Sequence, residues 1–376
     1  LRYTFVRDRG HPLLAGLDDA DLACWRGESD ILQPWQHFDK VDFNWQEQER
    51  WPFWAKHGLP NRWGQRRRFV PQWSNRNMVA TFCYQKPQAG NVRVLLDGGF
   101  DGLYTPLVEL HSAGGRILLC QLDVTNRYGL DPVATRLVDR MLAHYARPAE
   151  APGKAVAVFG DARTKALAQK LGFRPAEDEA LAPRRHVVLL QPGAASAKEA
   201  QQAAAFARAG GTCVVLGAFE AADLAALQTA GLIGFAGELG TVEAVRIPEP
   251  PPLLAGLGPA DFYYRRFMPG VLAPDDAPGW TAAGGLVNVA PCGQGRVAYL
   301  AVRPEVFRVT WRPDKPAWQQ TEVNWPTSKF HRIVATMLTN AGAAAETPAD
   351  PAATERSATL YLQPALDFDP MESFTW

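Results

Sequence analysis

Two segments of the amino-acid sequence are nearly identical. Residues 12–21 read PLLAGLDDAD and residues 252–261 read PLLAGLGPAD, so eight of the ten positions agree. Each copy is followed by two further matching segments in the same order, which begin at Gly115 and Arg136 in the first copy and at Gly295 and Arg332 in the second. A repeat of this kind predicts two copies of one structural unit. Function is then expected in what the first copy has and the second lacks.

The sequence from residue 151 onward predicts alternating strands and helices. Three continuous apolar runs and two segments of helical periodicity follow one another: 155–159, 163–171, 186–190, 197–209 and 213–216. Strands that are covered on both faces read as continuous apolar runs, and helices between them favour parallel pairing through right-handed crossovers. The pattern therefore predicts a doubly wound α/β domain over residues 151–342.

Residues 1–148 match only the later half of that domain. They predict a strand at 116–122 and a closing helix at 132–145, but no equivalent of the early parallel strands. We expect a second α/β domain that is incomplete at its N-terminus, because half a parallel sheet would expose a long unpaired edge. Since the sequence opens on Leu1 in a strand-like segment, a fragment of a longer polypeptide is expected. Residues 343–376 predict a linker and a short docking tail.

The first copy contains an insertion that the second lacks. Between the repeated motif and the Gly-Arg strand the first copy has 93 residues and the second has 33, and residues 25–90 hold seven of the twelve tryptophans. Sugar rings stack on indole, and their hydroxyls need fixed donors and acceptors. The candidate carbohydrate-binding residues are Trp25, Arg26, Glu28, Trp63, Arg66, Trp73, Asn75, Arg76, Asp97, Asp101 and Tyr104. The alternative is that the tryptophans fill the core of the insertion or of an interface.

Composition argues against several classes of partner and cofactor. Thirty-nine basic and 39 acidic residues give a net charge of zero, so no basic footprint for nucleic acid or an anionic membrane is present. The five cysteines lack C-x-x-C spacing, which predicts neither a zinc site nor a disulfide framework. The sequence has no dinucleotide-binding or P-loop motif. We expect no cofactor and no metal, and the compartment stays open, with the periplasm or secretion favoured.

The sequence shows no catalytic motif. His11 and His111 have no G-x-S-x-G nucleophile nearby. Carboxylates such as Asp97, Glu109 and Asp123 suit glycoside-type acid–base chemistry only as a pair about 5 to 10 Å apart, a distance that sequence spacing does not establish. Asp123 follows the predicted strand at 116–122 and is expected at the carboxyl end of a parallel strand. We expect no catalytic residue in this chain.

Several of these segments together resemble a known family. They are Gly10 to Leu17, Trp25 to Glu28, Leu95 to Asp101, Gly115 to Asp123, and the ending Asp367 to Pro370 with Trp376. The chain resembles the C-terminal region of large bacterial proteins related to glycoside hydrolase family 2 and β-galactosidases. In those proteins, flavodoxin-like domains similar to class I glutamine amidotransferases follow sugar-binding and barrel modules. The resemblance covers most of 5–145 and, more loosely, 151–340.

The resemblance implies a role without catalysis in this chain. Class I amidotransferases use a cysteine in a G-x-C-x-G turn, which is absent here, and the family's catalytic glutamates belong to a barrel that this chain does not contain. The implied function is a non-catalytic part of a polysaccharide-degrading glycosidase that supports assembly and lines the carbohydrate cleft. Its partners would be the catalytic module, in the same polypeptide or another chain, an oligo- or polysaccharide, and further copies of itself. The alternatives are a hydrolase that uses carboxylates of the insertion, and a pure assembly module.

Overall fold

The computed structural model describes residues 1–27, 77–80, 83–98, 104–112, 115–148, 153–176, 180–218, 220–242, 246–264, 268–302 and 317–345. Most of the tryptophan-rich insertion and the predicted docking tail lie outside these ranges. The described residues form an α/β protein with one mixed, largely parallel six-stranded sheet and several small antiparallel sheets. Within these ranges, no helix carries an apolar stretch long enough to cross a bilayer.

The elements are named in chain order. Those before residue 149 are β1 (Phe5–Val6), β2 (Tyr84–Gln85), β3 (Val92–Val94), β4 (Leu96–Asp97), β5 (Tyr104–Thr105), β6 (Leu107–Ser112), β7 (Gly115–Cys120), α1 (Val124–Arg127) and α2 (Pro132–Tyr145). Those after it are β8 (Ala155–Phe159), α3 (Ala162–Lys170), β9 (His186–Leu190), α4 (Ala197–Arg208), β10 (Thr212–Leu216), α5 (Ala221–Thr229), β11 (Glu238–Val242), a 3₁₀ turn (Pro252–Leu254), α6 (Pro259–Phe262), β12 (Met268–Leu272), β13 (Trp280–Ala282), β14 (Val287–Cys292), β15 (Gly295–Leu300) and α7 (Ala317–Asn340).

The six-stranded sheet has the order β13-β14-β15-β10-β9-β8. Strands β8, β9, β10 and β15 run parallel, while β14 and β13 continue the sheet in antiparallel pairing. Every residue of β9 and β10 is buried, which explains their continuous apolar sequences. The predicted alternation of strands and helices from residue 155 to residue 216 is confirmed.

The helices begin where the sequence supplies capping side chains. Asp131 accepts hydrogen bonds from two backbone N–H groups at the start of α2, where Pro132 has no N–H that needs an acceptor. Asp161 caps α3, and Ser196 with Glu199 forms a capping box at α4. The observed bounds of α2, α3 and α4 agree with the prediction to within one residue, because these signals are local.

The repeated sequence is also a repeated structure. In the first copy β3, β6 and β7 form a three-stranded antiparallel sheet, followed by α2; in the second, β13, β14 and β15 do the same, followed by α7. The hairpin registers correspond residue for residue, since Ser112 pairs with Gly115 and Cys292 pairs with Gly295. Both copies thus contain this three-stranded antiparallel arrangement and a following helix.

The Pro-Leu-Leu-Ala-Gly-Leu turns of the two copies also share their backbone hydrogen bonds. The N–H of Leu17 donates to the carbonyl of Leu14 at 2.9 Å, and the N–H of Leu257 donates to the carbonyl of Leu254 at 3.0 Å. Gly16 and Gly256 both adopt positive φ, at 66° and 86°. This left-handed conformation explains the glycine at that position of the repeat.

The two copies differ beyond this shared sheet. Strand β15 pairs on its second edge with the parallel strand β10, whereas β7 pairs only with β6 among the described residues. The expectation that Asp123 follows a parallel strand is therefore wrong. Only two residues separate β6 from β7, and a link this short joins antiparallel strands, because a parallel pair needs a long crossover.

The two glycines provide a matched test of the repeated turn. An added Cβ at Gly256 would lie 2.9 Å from the carbonyl oxygen of Val94, whereas at Gly16 it would meet nothing within 4 Å. We predict that Gly16→Ala costs about 1 kcal/mol of unfolding free energy from the positive φ alone. Gly256→Ala should cost about 1 to 3 kcal/mol more, since the contacted carbonyl must move. Equal costs in urea unfolding would contradict this account.

A buried histidine on α7 links stability to pH. His331 is buried, and burial together with the charge of Lys170 lowers its pKa to about 3. The unfolded chain takes up the proton near the ordinary pKa of about 6.5. The neutral imidazole therefore contributes stability that is complete above pH 6.5 and is lost as the pH falls toward 3.

We predict that His331→Gln flattens the pH dependence of stability. Below pH 6.5 the free energy of unfolding of the wild type should fall by up to about 1.4 kcal/mol per pH unit from this group. Urea unfolding of both proteins between pH 7.5 and 5 measures the difference in slope. Parallel slopes would show that His331 does not titrate in this way.

Candidate functional site

The carboxylate of Glu109 is the centre of a buried polar cluster. The hydroxyl of Tyr145 donates to its Oε2 at 2.6 Å, and Nε2 of His111 lies 2.9 Å from its Oε1. The Nε2 atoms of His11 and His144 both approach Oε2, at 3.5 and 3.4 Å. Glu109 and His11 are each 1% exposed, so this charge is held by protein groups in place of bulk water.

Three elements of the first copy bring these side chains together. Glu109 and His111 are two residues apart on β6, so they lie on the same face of the strand. His11 precedes the repeated turn, and its Nδ1 accepts a 3.3 Å hydrogen bond from the N–H of Leu13. His144 and Tyr145 end α2.

Arg116 of β7 closes the cluster at the C-terminus of α2. Its Nη2 donates to the carbonyl of His144 at 2.9 Å and to that of Arg147 at 3.1 Å, while its Nη1 contacts Nε2 of His144. A cation is favourable there, because the last carbonyls of a helix carry partial negative charge. Arg116 therefore stabilises the end of the helix and places a positive charge beside His144.

The protonation states follow from these contacts. Burial opposes ionisation of Glu109, but the neighbouring His11, His111 and Tyr145 favour the carboxylate and hold the pKa of the carboxyl well below its usual range. Burial and the hydrogen bond to Glu109 raise the pKa of Tyr145. Burial, Arg116 and His11 lower the pKa of His144, against the attraction of Glu109. At neutral pH the cluster thus holds a carboxylate, a neutral imidazole at His144 and a protonated tyrosine.

A second buried network is ionic and joins the two copies. Asp97 of β4 contacts Nε of Arg7 and Nζ of Lys86, and that ammonium also lies 3.8 Å from Asp261. Nε of Arg332 donates to Asp261 at 2.7 Å. Burial opposes ionisation of Asp261, but Arg332 and Lys86 lower its pKa to about 2. The network is structural, because its carboxylates face cations and have almost no exposed surface.

The structure places two of the predicted carbohydrate-binding residues inside the protein. Trp25 is 1% exposed, packs in the apolar core of the first copy, and donates its indole N–H to the carbonyl of Asp21 at 2.9 Å. Its ring presents no free face to a sugar, so the core-filling alternative describes this tryptophan. Asp97 is equally buried and is occupied by Arg7 and Lys86.

Two other candidates lie nearer to solvent. Arg26 is exposed and Tyr104 is half-buried. Arg26 borders an open groove of about 780 Å³ at the start of α2, which is also lined by Asp131, Arg136, Asp139 and Arg140. The remaining candidates, Glu28, Trp63, Arg66, Trp73, Asn75, Arg76 and Asp101, lie outside the described residues, and their assignment stays a prediction.

The sequence analysis missed the Glu109 cluster. His11 and His111 were considered only as partners of a nucleophile, and Glu109 only as one half of a carboxylate pair. An alignment of the two copies contains the missing signal: His11, Glu109 and His144 stand where the second copy has Pro251, Val289 and Asn340.

No family model, curated protein or solved structure matches this chain.

Arg332 and its first-copy counterpart Arg136 test the ionic network. We predict that Arg332→Met costs about 3 to 5 kcal/mol of unfolding free energy, because Asp261 then keeps the N–H of Gly258 but faces only the more distant Lys86 as a cation in this network. Arg136 is exposed, so Arg136→Met should change stability by no more than about 0.5 kcal/mol. Chemical denaturation gives both values, and similar costs for the two variants would contradict a role for the buried pair.

Proposed function

We propose that this chain is the non-catalytic α/β portion of a polysaccharide-degrading glycoside hydrolase and that it serves assembly. The observation that carries the proposal is the first copy, whose described residues contain the hairpin and the closing helix of the second copy but not the parallel strands that cover them there. Such a unit buries its apolar surface against another part of the assembly.

Corresponding side chains of the two copies differ sharply in exposure. Ile117 of β7 is 50% exposed, whereas its counterpart Val297 of β15 is 3% exposed. Leu142 of α2 is 68% exposed, whereas Leu338 of α7 is fully buried. In the second copy Val297 lies on the strand that pairs with β10. Arg116 of β7 contacts α2, so the next side chain, Ile117, points to the opposite face of the sheet. Ile117 and the exposed Leu142 of α2 are together called the β7–α2 surface here, and we infer that a partner covers both.

The strand order supports the amidotransferase-like part of the proposal. After α3 the chain returns to the free side of β8, where the N–H of Val156 donates to Arg174 at 3.0 Å and the N–H of Ala176 donates to Val156 at 2.8 Å. With this short parallel bridge, the order of the parallel segments becomes that of a flavodoxin-like sheet, with β8 at the switch point. We propose the same fold type for the first copy. Its parallel strands, which the described residues do not include, would come from another part of the assembly.

The thiols favour a non-catalytic role. Burial raises the pKa of Cys83, Cys120, Cys213 and Cys292, so none of these is a thiolate at neutral pH. Cys213 lies within β10 and donates to the carbonyl of Ala203 at 3.4 Å, where it acts as a small core residue. A hydrolase acting through carboxylates of the insertion remains the competing proposal.

The β7–α2 surface gives a direct test. In a purified sample the partner available is another copy, so the wild-type chain should self-associate at micromolar concentration. Ile117→Asp combined with Leu142→Asp should give a monomer with an unchanged circular dichroism spectrum. Leu239→Asp is the matched control, because Leu239 is 69% exposed but lies on β11 in the second copy, and it should leave the association unchanged.

Light scattering coupled to size-exclusion chromatography measures the mass of each variant. A wild-type chain that stays monomeric up to about 100 μM, or a loss of association in the Leu239 variant as well, would contradict the assembly proposal. The same samples should show no hydrolysis of polysaccharides. Hydrolysis by the isolated chain would favour the competing proposal.

A further inference from the structure

We propose that His11, Glu109 and His144 bind one divalent transition-metal ion of the zinc type. The expectation from sequence was that the chain holds no metal ligand, and the proposed assembly function does not require one. The inference therefore goes beyond that function. It rests on the convergence of three ligand atoms, two imidazole nitrogens and one carboxylate oxygen, all within 4.8 Å of one another.

The spacing of these atoms fits a tetrahedral ion. Zinc binds imidazole nitrogen and carboxylate oxygen at about 2.0 to 2.2 Å, which places two tetrahedral ligands about 3.3 to 3.5 Å apart. The Nε2 atoms of His11 and His144 lie 3.5 and 3.4 Å from the same oxygen, Oε2 of Glu109. These distances exceed those of ordinary N–H···O hydrogen bonds and match the edges of a zinc tetrahedron.

The contacts of His144 also suit a metal. Nε2 of His144 accepts from Arg116, so its lone pair lies close to a carboxylate oxygen that is also an acceptor. A cation placed between them would remove this repulsion.

The second copy shows that the frame of the fold does not require these residues. At the three corresponding positions it has Pro251, Val289 and Asn340, of which only the asparagine has a polar side chain. Asn340 donates to the carbonyls of Leu253 and Ala255, at 3.0 and 2.9 Å, and so ties the repeated turn to the closing helix. In the first copy the metal would tie together the same turn, β6 and α2.

The guanidinium of Arg116 would compete with the metal ion for Nε2 of His144. Its Nη1 contacts the His144 nitrogen that would coordinate the metal, so this contact must break on binding, while Nη2 can keep its bonds to the backbone. The His11 ring must carry its proton on Nδ1 and give up the long 3.3 Å bond from Leu13. Removal of the guanidinium should therefore strengthen metal binding, an effect that a purely structural arginine would not have.

The experiment uses the full chain, freed of metal by a chelator and titrated with Co²⁺ and then Zn²⁺. We expect one equivalent of Co²⁺ to produce the intense visible absorption of a tetrahedral site, and Zn²⁺ to abolish it by displacement. His11→Ala and His144→Ala should each weaken Zn²⁺ binding at least about 100-fold, since loss of a mere supporting partner costs 10- to 100-fold.

Two further variants separate coordination from general damage. His111→Ala is the matched control, because His111 contacts Oε1 of Glu109 as a supporting partner and should weaken Zn²⁺ binding by less than about 100-fold. Arg116→Met should raise the affinity about 10-fold or more, by removal of one competing charge. Circular dichroism verifies the fold of each variant, and the partly exposed His144 gives a substitution that the fold should tolerate.

Several outcomes would overturn the site. They are the absence of a tetrahedral cobalt spectrum in the wild type, equal Zn²⁺ affinity in the wild type and His144→Ala, or weaker binding in Arg116→Met. None of these outcomes depends on whether the chain self-associates through the β7–α2 surface, so failure of the metal site and failure of the assembly proposal are distinguishable.

Discussion

The buried ion network between Asp97 and Asp261 is the interaction on which the relation of the two copies depends. Asp97 belongs to a short strand of the first copy, and Asp261 is the last residue of the second repeated motif. Lys86 lies between the two carboxylates without exposed surface. Because each buried charge is stable only beside its partners, the network fixes how the turn of one copy sits against the strands of the other.

The repeated unit explains both what the two copies share and where they differ. The same antiparallel hairpin, the same turn and the same closing helix recur, but among the described residues only the hairpin of the second copy is extended by β10, β9 and β8. Leu338 is buried in the completed copy, while Leu142 at the matching position of the first copy remains exposed. One sequence pattern thus yields a core residue in one copy and a contact surface in the other.

Local signals were predictable from sequence, and pairing between distant segments was not. The strands at β9 and β10 and the caps of α2 and α4 depend on neighbouring residues, so sequence located them closely. The long helix α7 begins at Ala317, well before the repeated segment that starts at Arg332, and it contains Pro326, a residue that usually ends or starts a helix. The burial of Trp25 depends on core partners far along the chain, such as Leu137.

The Glu109 cluster could not be predicted from single residues either, because its members come from distant segments of the chain. His11, Glu109 and His144 are separated by about a hundred and thirty residues in total, and none stands in a known ligand motif. What distinguishes them is the comparison of two copies that share one backbone frame. Where the second copy needs only apolar side chains and an asparagine to hold its turn, the first has a carboxylate with two converging imidazoles. A buried carboxylate is unfavourable unless its partners offset the loss of hydration. Because the second copy has the same backbone frame without this carboxylate, Glu109 points to a ligand and not to the needs of the fold.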